Sequence, residues 1–334
     1  MGAVLDTGAK PGRLALPAEG ALRDGLLQAF EQVLAYARAQ DALADPTRAV
    51  HEFRKSVRRA RALLRLMEDV VGVDAYASAR TTLREVHRET SALRDRHVVL
   101  GVLHGLAPAD GDADADADAD VGADADVGAN AGGPGTGDMD RPVGLAALVG
   151  TLVATIEAEP APEAAVVAQV LARGGQRLEP LPRLVAGGVP RRLGWDPLTA
   201  GLAASHRRGR RRLRQIERGD DSDPVVHALR KRVKELTYQV ELFAEVGGAR
   251  VRRRRKRLAR LSEALGTVAD LIVARAYVVE HSRPGSDQAA LIEEVERTRA
   301  KRLGRALGRA ESLLDRPARA SARKITRAAR KRRR

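Results

Sequence analysis

Apolar residues recur three and four positions apart through most of this chain, which is the spacing of one face of an α-helix. In residues 21–40, Leu22, Leu26 and Phe30 follow this spacing. Asp45 followed by Pro46 marks the start of a second helix, extending to about residue 71, since proline is tolerated in a first turn. Further helices are predicted over residues 76–103, 143–158, 252–273 and 286–314. The pattern therefore predicts an all-α fold.

A histidine-led basic block occurs twice in the sequence. Residues 50–55 read VHEFRK, and residues 226–231, 176 positions later (227 − 51), read VHALRK. The same offset relates the motif LxxGL that begins at Leu22 to the one that begins at Leu198, and residues 77–98 align with residues 252–273 at an offset of 175. Three aligned segments at a nearly constant offset predict that a helical bundle was duplicated.

Each block begins a helix with two different faces. Apolar residues are expected to face the core, and they are Val50, Phe53, Val57, Ala60, Leu64 and Met67 in the first helix and Val226, Leu229, Val233, Leu236, Val240 and Phe243 in the second. Cations beside this stripe are the predicted anion-binding residues: His51, Arg54, Lys55, Arg58, Arg61, His227, Arg230, Lys231 and Lys234. Like charges one turn apart repel, so an anionic ligand would restore stability to such a face. An ordinary solvated face is the alternative, and the recurrence of the histidine favours the ligand.

Further cations, on the first His helix and on other helices, are predicted to form a supporting basic surface. They are Arg65, Arg84, Arg88, Arg207, Arg208, Arg211, Arg253, Lys256 and Arg260. Arginine makes bidentate contacts with phosphate, whereas lysine acts as a point charge. Because the basic run 252–257 goes round the whole helix, part of it is expected to be solvated surface. His87, His206 and His281 are predicted to be ordinary packed or solvated histidines.

The charge balance indicates a polyanionic partner. The 334 residues include 59 Lys and Arg against 44 Asp and Glu, a net charge of +15, which suits nucleic acid, polyphosphate or an acidic membrane surface. The absence of cysteine excludes disulfides, a thiol nucleophile and a cysteine zinc site. Cations around His51 and His227 disfavour a metal ion, and no cofactor is expected. The apolar stretch 143–156 is too short to span a bilayer, so a cytoplasmic location is predicted.

Composition also divides the chain into segments. Residues 108–141 are rich in aspartate and glycine, and their mutually repelling carboxylates predict a disordered insert. This insert is expected to be a flexible linker or, alternatively, an internal competitor for the basic groove. The predicted domains are a disordered lead at 1–19, a first bundle at 20–176, a Pro-rich linker at 177–195, a second bundle at 196–317 and a fraying basic tail at 318–334.

The two His helices, each reading V-H-x-[FL]-R-K-x-V-[RK], resemble the CHAD domain, the conserved histidine α-helical domain. The resemblance implies two antiparallel four-helix bundles related by a pseudo-twofold, with a basic surface between them that binds inorganic polyphosphate. It carries the anion-contact role to the eight basic residues of the two motifs and to Arg94. It also implies association with polyphosphate granules. Three features depart from the family: Ala269 stands where an arginine is expected, the Asp-rich insert is not part of the family pattern, and no ExExK triphosphatase signature occurs.

Two other functions remain as alternatives. Phosphate contacts alone would also hold nucleic acid without sequence preference. However, single-strand binding usually needs aromatic platforms, and the chain has three Phe, one Trp and four Tyr. An enzyme is less favoured, because the sequence has neither a phosphate-binding GxxxxGK[ST] loop nor a carboxylate cluster to hold Mg²⁺. The residues therefore predict a non-enzymatic polyphosphate-binding protein, with weak nucleic-acid binding as the alternative.

Overall fold

The computed structural model describes residues 13–91, 95–106, 143–158 and 162–333. These ranges contain α-helices and no strands, as the sequence predicts. The predicted insert at 108–141 and the candidate contact Arg94 lie outside the described residues. Helices in these ranges are α1 (Leu22–Arg38), α2 (Pro46–Leu66), α3 (Val73–Glu89), α4 (Asp95–Leu106), α5 (Val143–Ala158), α6 (Ala164–Leu178), α7 (Leu181–Gly188), α8 (Trp195–Glu217), α9 (Asp223–Leu242), α10 (Gly248–His281), α11 (Ser286–Leu314) and α12 (Ala318–Arg332).

The chain forms two compact units that do not follow the predicted domain boundaries. The first contains the described residues within Met1–Arg94, Pro162–Gly266 and Gly304–Arg334, and the second those within Asp95–Ala161 and Thr267–Leu303. Each unit therefore takes residues from both halves of the sequence. The division into bundles at 20–176 and 196–317 stays a prediction, and α2 of the first predicted bundle packs directly on α9 of the second inside the first unit.

The core of the first unit is built on the two predicted apolar stripes. Every residue of both stripes is buried, including Phe53 on α2 and Phe243 on α9, which have no exposed surface. This part of the sequence prediction is confirmed. Helix α8 also approaches α2 closely, because a Cβ at Gly201 would lie 2.3 Å from the backbone oxygen of Leu66. A glycine is required at that contact, since a backbone atom cannot move aside as a flexible side chain can.

A buried ion pair joins α2 to α9. The guanidinium of Arg59 donates from Nε and Nη2 to the two carboxylate oxygens of Glu241, both at 3.2 Å. Arg59 also lies over the ring of Tyr238, 5.3 Å from its centroid. Beside the pair, the side-chain amide of Gln239 donates to the backbone oxygen of Ala62 at 3.0 Å. These polar contacts fix the position of the two His helices relative to each other.

Two segments predicted as disordered or linking contain ordered parts of the first unit. Leu14 and Leu16 are buried, and the Leu16 N–H donates to the Leu242 oxygen at 2.9 Å, so the disordered lead does not extend through residue 16. Residues 1–12 lie outside the described ranges. Within the predicted linker at 177–195, α7 buries Leu181 and Val185. Both corrections have the same cause: a few apolar side chains in these Pro- and Gly-containing segments are buried in the core.

The predicted fraying tail is a packed helix. Helix α12 lies against α8 and buries Ala322, Ile325 and Ala329, which are spaced as on one helix face. The hydroxyls of Thr199 and Thr326 are 2.8 Å apart across this contact. The many arginines and lysines on the opposite, exposed face made this segment look uniformly polar in the sequence, so its apolar stripe was overlooked. Among the described residues, no helix combines the length and the apolar character that crossing a membrane requires.

The second unit has its own aliphatic core. Helices α4 and α5 pack together, and the described parts of α10 and α11 in this unit contribute further apolar residues. Arg275 donates to Glu296 at 2.6 Å within the unit. The buried residues of this core are Val99, Leu103, Val149, Leu152, Ile156, Leu271, Val278, Leu291 and Val295.

Candidate anion-binding site

Helix α2 sets the register of the candidate site. Asp45 is its N-cap, and its carboxylate accepts from the Arg48 N–H at 2.9 Å, with Pro46 in the first turn. This cap satisfies one of the backbone donors that a helix start leaves unpaired. With the start of α2 fixed, Phe53 points into the core and the cations of the neighbouring stripe face α3 and α9.

Arg54, the first arginine of the predicted stripe, is a buried structural residue. It is 6% exposed, and its Nη1 donates to the His87 oxygen at 3.1 Å, to Thr90 Oγ1 at 3.1 Å and to Ser91 Oγ at 3.3 Å. These acceptors lie at the C-terminal end of α3, where a cation is favoured by the helix dipole. Arg54 therefore holds α3 on α2, and its role as an anion contact stays a prediction.

Five cationic or titratable side chains from three helices lie close to one another and to Arg54. We call them the basic cluster: Arg58 and Arg61 on α2, Arg84 and His87 on α3, and Lys231 on α9. Burial and the charges of Arg54, Arg58, Arg61 and Lys231 lower the pKa of His87 to about 3. The buried Nε2 of His87 has no hydrogen-bond partner among the described residues. The imidazole is therefore neutral near pH 7 and is surrounded by positive charge.

The remaining members of the basic cluster also destabilise one another. Burial lowers the pKa of Arg61, and Arg84 lowers it further. Burial lowers the pKa of Lys231 as well, followed by the charge of Arg61. Glu235 raises the pKa of Arg61, but burial and the charge of Arg84 together outweigh it. An anion placed here would reverse these shifts.

Carboxylates neutralise the predicted cations at one border of the basic cluster. Glu235 accepts from Arg232 at 2.7 Å and from Arg208 at 3.1 Å. Glu68 accepts from Arg65 at 3.4 Å and lies 3.8 Å from Arg208. Arg65 and Arg208, both predicted as supporting cations, are thus paired. The uncompensated positive charge is concentrated in the basic cluster itself.

The other predicted site residues differ in their surroundings. Lys55 is paired with Glu52 at 3.3 Å, and His51 and Lys234 are half-buried. Partial burial, then Lys231 and Arg230, lower the pKa of His227, which connects the second His block to the cluster. The remaining predicted cations are exposed: Arg88, Arg207, Arg211, Arg253, Lys256 and Arg260.

His87 is the functional candidate that the sequence prediction missed. It was expected to be an ordinary packed histidine, because α3 contains no copy of the VHxxRK block. A signal was present, since Arg84 and His87 are three residues apart and therefore share a helix face. Which face of α3 meets α2 and α9 is a matter of tertiary packing, and the sequence alone did not indicate it.

We expect His87 to make the stability of the protein depend on pH. Its folded pKa of about 3 lies below the unfolded value of 6.5, so the unfolded chain binds the proton more readily and stability is lost as pH falls between these values. From roughly pH 7 to pH 5 the free energy of unfolding should fall by about 2 kcal/mol through this group. Urea unfolding of the wild type and of His87→Gln measures the difference in slope. Equal slopes would contradict the assignment.

The fold and the basic cluster define an all-α protein with a cationic surface made by several helices. The sequence model of the CHAD domain matches residues 24–279, and the chain belongs to the CHAD domain family. The crystal structure of the CHAD domain from the plant Ricinus communis is similar in fold, with a TM-score of 0.55 and 20% sequence identity. The similarity covers 92% of this chain and 96% of that one. Comparison with curated proteins gives no match.

Proposed function

We propose that this protein binds inorganic polyphosphate at the basic cluster without transforming it chemically. The observation that carries the proposal is the convergence of Arg58, Arg61, His87 and Lys231 from three helices, with pKa values of the last three lowered by burial and neighbouring charge. Membership of the CHAD family, which is associated with polyphosphate binding, supports it. Polyphosphate offers repeated anionic groups and no bases, so the scarcity of aromatic residues is no obstacle.

Binding would be coupled to proton uptake at His87. A phosphate group beside the imidazole would offset the surrounding cations and raise the His87 pKa towards its ordinary value. The protonated ring would then donate from Nε2, which is buried and has no acceptor among the described residues. Protonation adds a positive charge only when the anion is there to stabilise it. Affinity is therefore expected to be greater at mildly acidic pH and to fall steeply with salt.

We also propose that the two halves of the sequence are related by a pseudo-twofold through the contact between α2 and α9. In support, the 176-residue offset pairs the buried stripes of these helices position by position. Helix α1 packs on α2, and α8, its counterpart by the LxxGL motif, packs on α9. One antiparallel four-helix bundle would be the ancestral unit, and its duplication would have produced two. The basic cluster would then combine cations from both copies.

The carboxylates near the cluster support binding over catalysis. Arginines engage Glu235 and Glu68, and the described part of the chain holds no cluster of His, Asp or Glu that could bind the Mg²⁺ of phosphoryl transfer. Bound polyphosphate would be held by charge and hydrogen bonds along its length. A cytoplasmic location and association with polyphosphate granules would follow from this activity, and both belong to the proposal.

A competition experiment distinguishes polyphosphate from nucleic acid. Labelled long-chain polyphosphate bound to the full chain is displaced with unlabelled polyphosphate or with single-stranded DNA, matched for phosphate content and salt. We expect polyphosphate to compete at least about tenfold better, because the surface offers cations and no aromatic stacking platform. Equal displacement by both polymers would contradict specific polyphosphate binding and would favour general polyanion binding.

A further inference from the structure

A second concentration of cations surrounds a cavity in the first unit. The cavity has a volume of about 420 Å³ and lies between the start of α10 and the segment that joins α11 to α12. Apolar side chains, including Val251 and Ile325, form part of its wall. Its six cationic lining residues are Arg250, Arg253, Arg254, Arg257, Arg316 and Lys324. None of them belongs to α2, α3 or α9, so this cavity is separate from the basic cluster.

The helical spacing of α10 explains which arginines reach the cavity. Arg253, Arg254 and Arg257 follow Arg250 by three, four and seven residues. The four arginines therefore share one face of the helix. Arg252 and Lys256, which belong to the same basic run, do not line it. The sequence predicted that the run 252–257 could not face a single groove. The structure now divides it into cavity-lining and outward-facing members.

The cavity cations have no acidic partners in the described part of the chain. Arg254 donates from Nη2 to the Leu313 oxygen at 3.3 Å, and Arg257 donates to Ser312 Oγ at 3.1 Å. The buried Nε of Arg254 has no hydrogen-bond partner there. Burial lowers the pKa of Arg254, and the charges of Arg316 and Arg257 lower it further. The fold thus gathers positive charge here at a cost in stability.

The start of α12 adds backbone donors to the same cavity. Pro317 is the N-cap and gives no side-chain cap, and Pro317, Ala320 and Ser321 lie in the cavity wall. The first N–H groups of a helix have no acceptor within the helix, and the dipole makes this end positive. Helix starts of this kind bind phosphate groups in many proteins. Here the helix start supplements six side-chain cations.

We propose that this cavity binds the oligophosphate group of a small anion, such as inorganic tripolyphosphate or a nucleoside triphosphate. Its volume falls in the range of small-ligand sites, which runs from about 300 to 1,000 Å³. A compact anion with several negative charges would meet cations from α10 on one side and Arg316, Lys324 and the start of α12 on the other. This proposal does not depend on polyphosphate binding at the basic cluster.

Calorimetric titration with tripolyphosphate tests the proposal on the full chain. A pocket variant combines Arg253→Glu with Lys324→Glu, and a control combines Arg323→Glu with Arg327→Glu, which are exposed on α12 and do not line the cavity. Both variants change the net charge equally. We expect the pocket variant to bind at least about tenfold more weakly and the control to change less than about twofold. Equal losses in both would mean a general charge effect and would overturn the site.

Further measurements keep the test independent of folding and of the basic cluster. Should the pocket variant fail to fold, as circular dichroism would show, Arg250→Ser with Arg316→Ser provides a milder replacement of two exposed lining residues. The titration is repeated in an Arg58→Ser, Lys231→Ser background, where we expect cavity binding to persist. Loss of all tripolyphosphate binding in that background would overturn a separate site.

A parallel titration with ATP distinguishes the two ligand classes. Tighter binding of ATP than of tripolyphosphate identifies a nucleotide ligand, and tighter binding of tripolyphosphate identifies an inorganic one. Binding of neither compound overturns the proposal.

Discussion

Charge reversal of Arg58 and Lys231 together, as Arg58→Glu with Lys231→Glu, is expected to lower the affinity for long-chain polyphosphate by about 100- to 1000-fold. Each cation is expected to make a charge-assisted contact with phosphate that contributes about 1.5–2 kcal/mol. Because the two residues lie on different helices of the basic cluster, the introduced carboxylates would repel the ligand from both sides. Binding at fixed salt, measured by fluorescence polarisation with labelled polyphosphate, provides the affinities.

Two comparisons make this prediction specific. The Arg323→Glu, Arg327→Glu variant has the same net charge and should bind polyphosphate within about threefold of the wild type. Arg54→Glu, by contrast, should unfold the first unit, because it removes the donor to the end of α3 and buries a carboxylate there. Unchanged affinity in the Arg58, Lys231 variant, with normal circular dichroism, would rule out the basic cluster as the polyphosphate site.

Breaking the Arg59–Glu241 pair is expected to cost about 3–5 kcal/mol of stability, the range measured when one partner of a buried ion pair is removed. Arg59 is 5% exposed, and although burial opposes its charge, Glu241 outweighs this and raises the Arg59 pKa. Glu241→Gln would leave that charge buried with a neutral partner. Urea unfolding followed by circular dichroism measures the loss.

A double-mutant cycle measures the coupling free energy between Arg59 and Glu241 separately from the effect of each residue alone. Replacing both residues with apolar ones, Arg59→Met with Glu241→Leu, removes the uncompensated charge and should be less destabilising than the sum of the two single changes. Arg13, whose Nε lies 3.8 Å from Glu241, would remain as a weaker partner in Arg59→Met. Additive effects of the two changes would show that the pair has no coupling energy, contrary to its geometry.

Local periodicity predicted the helices well because it depends on neighbours three and four residues away. The start of α2 follows from Asp45 with Pro46, and all twelve core-stripe positions of the two His helices follow from the spacing. The compact units could not be predicted in the same way, since they depend on which distant helices pack together. Duplication in the sequence suggested two separate bundles, whereas the two His helices share one core.

The basic cluster draws on both predicted His helices and on α3, and its residues differ from the set that the sequence predicts. Arg54 and Arg58 are equivalent by spacing on α2. Contact with α3 buries Arg54, whereas Arg58 belongs to the basic cluster. His87 gained its role from neighbours on α2 and α9, which no local pattern contains. Similarly, Arg253 was assigned to one basic surface, and its contacts place it at a different cavity.

The buried pair between α2 and α9 also determines which chains these helices can accept as partners. Under the proposed pseudo-twofold, the 176-residue offset maps Arg59 onto Glu235 and Glu241 onto Arg65. Two copies of the first half would therefore place Arg59 against Arg65, and two copies of the second would place Glu235 against Glu241. Like charges buried at the same contact disfavour both homodimers. Under this symmetry the two halves would be complementary in charge at this contact, and each would pair better with the other half than with its own copy.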